Sequence, residues 1–131
     1  MITEEIIPGL QGAFPSVLAT VDENGTPNVS YISQVYYVDN NHVALSNQFL
    51  NKSMRNIKSN GIATVNVTRP DNLKSWYFEL KHKVSKTDGE LFDNMTMQLE
   101  AIASMTGMED VFKLRASEVF EVVKVDAVIM S

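Results

Sequence analysis

The sequence predicts a mainly β fold, an antiparallel sheet closed or partly split into a barrel, with helices packed outside it. Two observations support this prediction. Strand-like segments follow one another through short turns rich in Asn, Asp, Gly and Pro, as they do in consecutive hairpins. Regular crossover helices between the strands are missing from the pattern, which argues against a parallel, doubly wound sheet.

Length and composition limit the classes of function. The 131 residues fit one domain, residues 1–131, with a sizeable core, and 44% hydrophobic with 21% charged residues is ordinary for a globular protein. A net charge of −5 argues against broad binding of nucleic acid, whose phosphates need a basic face. The chain has no cysteine, which excludes disulfides, thiolate catalysis and cysteine-ligated metals.

The location is predicted from the first residues and from the apolar runs. The stretch "MITEEIIPGL" carries acidic residues where a secretory signal carries positive charge. The longest apolar runs are too short to span a bilayer. We therefore expect a cytoplasmic protein without a membrane segment.

The first half of the chain predicts a short helix, three strands and a second helix. Residues 3–11 are expected to form one or two helical turns, interrupted by Pro8. The segments "PSVLATVD" and "PNVSYISQVYYVD" are predicted to be the two arms of a hairpin that turns at Asn24-Gly25. The segment "HVALS" predicts a third strand, and "NKSMRNIKSN" predicts a helix that Asn51 caps and Gly61 follows.

The second half predicts further strands around one long helix. "GIATVNVTR" is expected to be the fourth strand, and the tail "VFKLRASEVFEVVKVDAVIM" supplies one or two more. Thr87 and Glu90 have the spacing of a capping box for a helix that continues to about Ser104, with Gly107 at its C-cap. The fifth strand, "KSWYFELKHKVSK", alternates so that one face is expected to carry Trp76, Phe78, Leu80, His82 and Val84.

The stretch "ALSNQFLNKSMRN" is the first candidate site. A strand ending near Ser46 and a helix starting near Asn51 place Lys52 and Ser53 in the first helical turn. Unpaired N–H groups and the positive end of the helix dipole favour an anion there, and one phosphate group would suit the lysine and the hydroxyl. Taken alone, the residues favour a simpler interpretation, in which Asn51 and Ser53 only cap the helix and Lys52 is solvated.

Polar strand residues and the two histidines give weaker signals. Ser30, Ser33 and Gln34 lie where β-branched residues are common, and they suit either a planar heteroaromatic ligand or a solvated strand face. His42 and His82 are isolated from carboxylates at metal-ligand spacing, so no metal site is predicted. His82 is expected to be exposed, and no pattern identifies catalytic residues.

Three stretches together resemble the pyridoxamine 5′-phosphate oxidase-like family of FMN-binding split barrels. They are "PSVLATVDENGTPNVSYIS", "HVALSNQFLNKSMRNIKSNGIATVNV" and "TDGELFDNM", with Lys52 and Asn56 at the places of the family's helix motif. The resemblance covers about residues 14–123. It implies a six-stranded antiparallel split β-barrel that forms a homodimer with FMN at the subunit interface.

The resemblance also implies which residues bind FMN. Lys52 and Ser53 would hold the phosphate, with help from the preceding loop, while strand residues would line the ring and the ribityl chain. The full expected set of cofactor-binding residues is Ser30, Tyr31, Ile32, Ser33, Ser46, Asn47, Gln48, Lys52 and Ser53.

The tail departs from the family's pyridoxamine phosphate oxidases. It reads "EVFEVVKVDAVIMS" and lacks the Trp-Arg segment that binds pyridoxal phosphate. Oxidation of pyridoxamine phosphate is therefore not expected. The resemblance implies an FMN-dependent oxidoreductase of unknown substrate, and a non-catalytic protein that binds flavin, F420 or haem is the alternative. F420 is also the alternative cofactor for an enzyme.

Overall fold

Antiparallel pairing joins every strand of this computed structural model, which describes residues 1–10, 14–48, 51–107 and 113–128. Two α-helices and a short 3₁₀ helix, Ile7–Leu10, accompany seven strands in the described residues. The mainly β fold predicted from the sequence is therefore confirmed. The strands and helices are β1 Ser16–Val21, β2 Pro27–Ile32, β3 Val35–Asp39, β4 His42–Asn47, α1 Asn51–Asn60, β5 Ile62–Thr68, β6 Ser75–Lys86, α2 Glu90–Thr106 and β7 Ala116–Ala127.

The strand count is seven, one more than the six that the resemblance implies. The order across the sheet is β2-β1-β5-β6-β7-β4-β3, so β2 and β3 lie at opposite edges although they are consecutive in the chain. The segment predicted as one long hairpin arm breaks at Ser33 and Gln34. Gln34 turns towards α2, where its side-chain Nε2 donates to the Met95 carbonyl oxygen at 3.1 Å. This tertiary contact separates the segment into two strands.

The barrel interior is built from inward-facing residues of all seven described strands. Leu18, Val65, Phe78 and Phe120 are fully buried there, and each lies on the inward face of its strand. Burial of apolar side chains at this scale provides the main free energy of folding. Because inward side chains recur with a period of two, the same faces also carry Glu118 and His82 to the interior at one end.

Helix α1 closes that end of the barrel. It runs from the end of β4 to the start of β5 and packs against β1, β2 and β5. Met54 and Ile57 join the barrel core from its buried face. The helix ends at Gly61, whose φ of 75° is the left-handed conformation predicted for a residue after a helix end.

Helix α2 covers the outer face of β4 and β7. Met95 and Leu99 pack there against Ala44 and Leu114. The predicted capping box is wrong: the N-cap is Gly89 with a φ of 96°, and no side chain caps the helix. The two residues Asp88 and Gly89 extend the turn beyond Thr87, so that its hydroxyl is not at the capping position. The predicted C-cap at Gly107 is confirmed by its φ of 70°.

Candidate functional site

The candidate site lies where β4 ends and α1 begins. Gln48 follows β4 directly, and α1 starts at Asn51. Lys52 is exposed in the first turn of the helix, and no acidic residue lies in that turn. In the described residues the Lys52 ammonium has no ion pair, unlike the acid-paired lysines Lys74 and Lys83. A cation beside unpaired helix N–H groups is a suitable partner for a phosphate.

Ser53 and Ser30, both among the expected cofactor-binding residues, contact each other directly. Ser53 is 1% exposed, and its hydroxyl lies 3.0 Å from Ser30 Oγ and 3.0 Å from Asn28 Nδ2. These bonds dock α1 on β2. The Ser53 hydroxyl is thus engaged within the chain, so the backbone N–H of the first helical turn is the group that Ser53 can offer to a ligand.

Asn56, the other motif residue of this helix, has a structural role. Its side-chain Nδ2 donates to Thr20 Oγ1 at 3.1 Å, and both side chains are buried. The bond fixes α1 to β1. Asn51 lies at the start of α1, but its side chain falls outside the described residues.

Two cations that the sequence analysis missed lie beside the end of β4. The backbone N–H of Arg115 donates to the Asn47 carbonyl oxygen at 2.8 Å. The backbone N–H of Lys113 donates to Gln48 Oε1 at 3.2 Å. Both residues are exposed, so the backbone of "KLR" before β7 brings two basic residues beside the end of β4 in a chain of net charge −5. Only the pairing of β7 with β4 reveals this proximity.

Ser46 lies on the other face of β4, under α2. It is the cross-strand partner of Ser117, and its backbone N–H donates to the Gln34 carbonyl oxygen at 3.4 Å. Gln34, at the break between β2 and β3, forms a row with Ser46 of β4 and Ser117 of β7, which we call the polar row. Each has one buried polar atom without a hydrogen-bond partner among the described residues: Gln34 Oε1, Ser46 Oγ and Ser117 Oγ.

The other expected cofactor-binding residues in and directly after β2 lie in different surroundings. Tyr31 is 79% exposed on the outward face of the sheet, whereas Ile32 is buried in the barrel core. Ser33 lies at the break between β2 and β3. Tyr31 can meet a ligand or a partner with its side chain, while Ile32 can contribute only backbone groups.

Glu118 is a buried carboxylate that the sequence analysis did not select. It is 2% exposed and accepts a hydrogen bond from Asn47 Nδ2 at 3.1 Å. His82 Nε2 lies 3.0 Å from its Oε1, and the Ser85 hydroxyl donates to the same oxygen. The alternation of Glu118 with Phe120 and Val122 in "SEVFEVV" is the signal that could have placed it inside.

The expectation that His82 is exposed is therefore wrong. Its side chain is 18% exposed, with Glu118 on one ring nitrogen and the Phe120 ring in edge contact at 5.0 Å between centroids. The long β6 strand carries His82 inward because Trp76, Phe78 and Leu80 precede it on the same face. The face changes after His82, where the pairing register with β7 shifts, and Val84 is exposed.

A cluster of metal ligands and a membrane-spanning helix are both absent from the described residues. No group of three or more His, Asp or Glu side chains lies close enough to hold a metal ion there. Neither described α-helix combines the length and the apolar character needed to cross a bilayer.

Comparison with known proteins assigns the chain to a family. The model of the family "Pyridoxamine 5′-phosphate oxidase" matches residues 2–123. The chain belongs to this family. A comparison with curated protein sequences finds no match.

Solved structures share the family's split-barrel fold with this chain. An FMN-binding protein from Syntrophomonas wolfei is 22% identical with a TM-score of 0.76, covering 97% of this chain and 86% of that one. An F420 reductase is 17% identical with a TM-score of 0.70, covering 95% and 98%. The heme storage protein HutZ from Vibrio cholerae is 19% identical with a TM-score of 0.61, covering 96% and 94%. At these identities the likeness shows the fold, while the ligand differs among the three neighbours.

Proposed function

We propose that this protein is a homodimeric flavoprotein, a single domain over residues 1–131, that binds FMN and acts as an oxidoreductase on a small substrate. The observation that carries the proposal is the exposed cation in the first turn of α1, where no acidic residue lies. Lys52 is exposed at the start of α1, and the backbone groups of Lys113 and Arg115 bond to the same turn. An FMN-binding protein from Syntrophomonas wolfei shares the fold, and an exposed lysine at a helix start suits the FMN phosphate.

The chemistry of the reaction would come from the cofactor. FMN supplies hydride and electron transfer, while the protein binds it, orients it and controls access to the ring. Lys52, with the N–H of Ser53, would hold the phosphate. Ser30, Tyr31, Ile32, Ser33, Ser46, Asn47 and Gln48 are the further proposed contacts, by side chain or backbone. The buried hydroxyl positions of Ser46 and Ser53 favour backbone contributions from these two residues.

The homodimer is supported by an apolar surface on the outward face of the sheet, which we call the outward patch. Cross-strand pairing places Val29 opposite Ala19 and Tyr31 opposite Val17, on the face that also carries Ile62. Val29, Tyr31 and Ile62 are exposed. A groove of about 360 Å³ continues this surface along β1, β5, β6 and β7. Exposed apolar surfaces of this kind mark interaction sites, and a second copy of the chain is the proposed occupant.

A visible absorption spectrum tests the cofactor. The purified protein is incubated with excess FMN, desalted and measured, and we expect retained flavin bands in proportion to protein. The matched control is Lys52→Ala treated in the same way, which should retain less flavin. Loss of all flavin from the wild-type protein would contradict the proposal and make F420 the next ligand to test.

A non-catalytic carrier of FMN, F420 or haem is the second candidate function. It is favoured by the different ligands that the names of the three fold neighbours give. A steady-state assay with reduced nicotinamide cofactors and common electron acceptors separates the two. Turnover well above that of free FMN supports the oxidoreductase, and its absence across the panel supports the carrier. Cytoplasmic residence, expected from the sequence, remains part of the proposal.

A further inference from the structure

Glu118 connects three strands at the closed end of the barrel. It lies on β7, between β4, which carries Asn47, and β6, which carries His82 and Ser85. One carboxylate oxygen, Oε2, accepts a hydrogen bond from Asn47 Nδ2 at 3.1 Å. The other, Oε1, lies 3.0 Å from His82 Nε2 and accepts a hydrogen bond from the Ser85 hydroxyl. A carboxylate buried to this degree is stable only with such partners.

The chemistry of the carboxylate sets the orientation of the Asn47 amide. Glu118 Oε2 accepts the hydrogen bond from Asn47 Nδ2, so the NH₂ group of Asn47 is turned towards Glu118. Asn47 Oδ1 then points away from Glu118. This oxygen has no partner among the described residues, and Asn47 is only half-buried, so a free acceptor is available beside Gln48.

We propose that Glu118 is a positioning residue that keeps Asn47 Oδ1 available as a hydrogen-bond acceptor for the cofactor. The proposal rests on the proposed function, in which Asn47 belongs to the FMN site. FMN carries N–H and O–H donors on its ring imide and ribityl chain that such an acceptor can bind. Lys52 contributes a positive charge to the site. Glu118 instead orients the acceptor Asn47 Oδ1 and does not itself contact the ligand.

Glu118→Gln is the decisive variant because it keeps the shape and one oxygen. The oxygen can still accept from His82 and Ser85, whereas the new NH₂ group faces the NH₂ group of Asn47. In that orientation two donors cannot bond, and the Asn47 amide flips to offer a donor where an acceptor stood. Glu118→Leu is tested beside it, because leucine has no acceptor for Asn47 in any orientation. We expect FMN affinity, measured by quenching of flavin fluorescence, to fall about tenfold, which is the value of one good hydrogen bond.

A double-mutant cycle separates positioning from general damage. Asn47→Ala should lose about the same affinity as Glu118→Gln, and Glu118→Gln in the Asn47→Ala background should lose no more. Ser85→Ala is the matched control, since it removes a partner from the other carboxylate oxygen and leaves the bond to Asn47 in place. We expect Ser85→Ala to bind FMN as the wild type does. Additive losses, or an equal loss in Ser85→Ala, would overturn the positioning role.

The outcomes distinguish this inference from the proposed function. Unchanged FMN affinity in both Glu118→Gln and Glu118→Leu, with normal binding by the wild type, overturns the positioning role alone. Failure of the wild type to bind FMN overturns the proposed function and the positioning role with it. Should Glu118→Gln not fold, NMR of the wild-type protein decides: slowly exchanging Asn47 side-chain NH₂ protons support the bond to Glu118, and fast exchange overturns it.

Discussion

Lys52 and Ser53 are neighbours in the chain, yet their side chains lie in different surroundings. Lys52 is exposed, whereas Ser53 is buried against β2. The helical periodicity of α1 sets this difference, because the buried face also carries Met54, Asn56 and Ile57. The sequence predicts the helix and its cation, but the bond between Ser53 and Ser30 depends on how α1 docks.

The exposed position of Lys52 leads to the first prediction. Lys52→Ala should weaken FMN binding roughly tenfold or more, because a hydrogen bond to a charged group contributes about 1.5–3 kcal/mol. Lys58→Ala is the matched control, since Lys58 is also exposed but lies in the last turn of α1. Flavin fluorescence quenching gives both affinities. Equal affinities for the two variants would remove Lys52 from the site.

A second prediction concerns Asp39 in the turn between β3 and β4. The backbone N–H of Asn41 donates to its Oδ1 at 2.8 Å, and His42 Nδ1 lies 2.8 Å from the same oxygen. The Asn41 hydrogen bond and then His42 lower the pKa of Asp39. A lowered folded-state pKa stabilises the fold fully above the unfolded pKa, about 3.9, and this contribution is lost as the pH falls through the folded pKa.

The test of Asp39 is the pH dependence of unfolding. Asp39→Asn keeps the shape and removes the charge, so it should be less stable than the wild type at pH 7. The difference should be less than about 1 kcal/mol, because the carboxylate is exposed and screened by water. Urea denaturation at neutral and acidic pH measures it. A difference that persists when Asp39 is protonated would exclude the charge as its cause.

The hairpin between β1 and β2 shows how far local patterns predict an element. Val21 pairs with Pro27, and Gly25 has a φ of 80°, as the Asn-Gly signal requires. The loop is held by Asp22, whose Oδ1 accepts the N–H groups of Asn24 at 2.8 Å and Thr26 at 2.9 Å. All these residues are close in sequence, which is why the pattern alone suffices.

Gly25→Val should therefore destabilise the fold by about 1–2 kcal/mol, the cost of a left-handed conformation for an L-residue. An added Cβ at Gly25 would meet nothing within 4 Å, so the backbone conformation alone causes the loss. Gly25→Asn is the control, because Asn tolerates this conformation better. Equilibrium denaturation compares the three proteins. A loss as large in Gly25→Asn as in Gly25→Val would contradict the backbone explanation.

Elements that depend on distant contacts were less predictable. The break at Ser33 and Gln34 follows from the contact of Gln34 with Met95, which lies 61 residues away in the chain. The start of α2 at Glu90 depends on the turn at Gly89, which competes with the local capping signal of Thr87. The strands between these points were predicted well, because their period-two alternation is a local property.

At the scale of the whole molecule, the outward patch sets the expected assembly. Val29→Lys and Ile62→Lys each place a charge in the patch and should shift the protein from a dimer to the single-chain mass of 14.6 kDa. Leu73→Lys is the control, because Leu73 is equally exposed but lies in the loop between β5 and β6. Light scattering after size exclusion measures the mass. A monomeric wild type would contradict the proposed dimer.

The fold class and the family followed from the sequence, whereas the site followed only in part. The order of the strands across the sheet brings Lys113, Arg115 and Glu118 to the end of β4, and this order requires long-range pairing. A single sequence carries no direct signal for such pairing. Alternation along β7 indicates that Glu118 faces inward, but its partner Asn47 is visible only in the folded chain.

The polar row under α2 has a consequence for the dynamics of the chain. If α2 undocks from the sheet, water can reach the unpartnered atoms Gln34 Oε1, Ser46 Oγ and Ser117 Oγ. This opening separates only the small apolar cluster under α2, whereas opening the barrel exposes the larger core. We expect amide hydrogens of α2 to exchange through local opening, at a lower free energy than those of β5 and β6. Native-state hydrogen exchange measures both, and equal protection would mean that helix and barrel open as one cooperative unit.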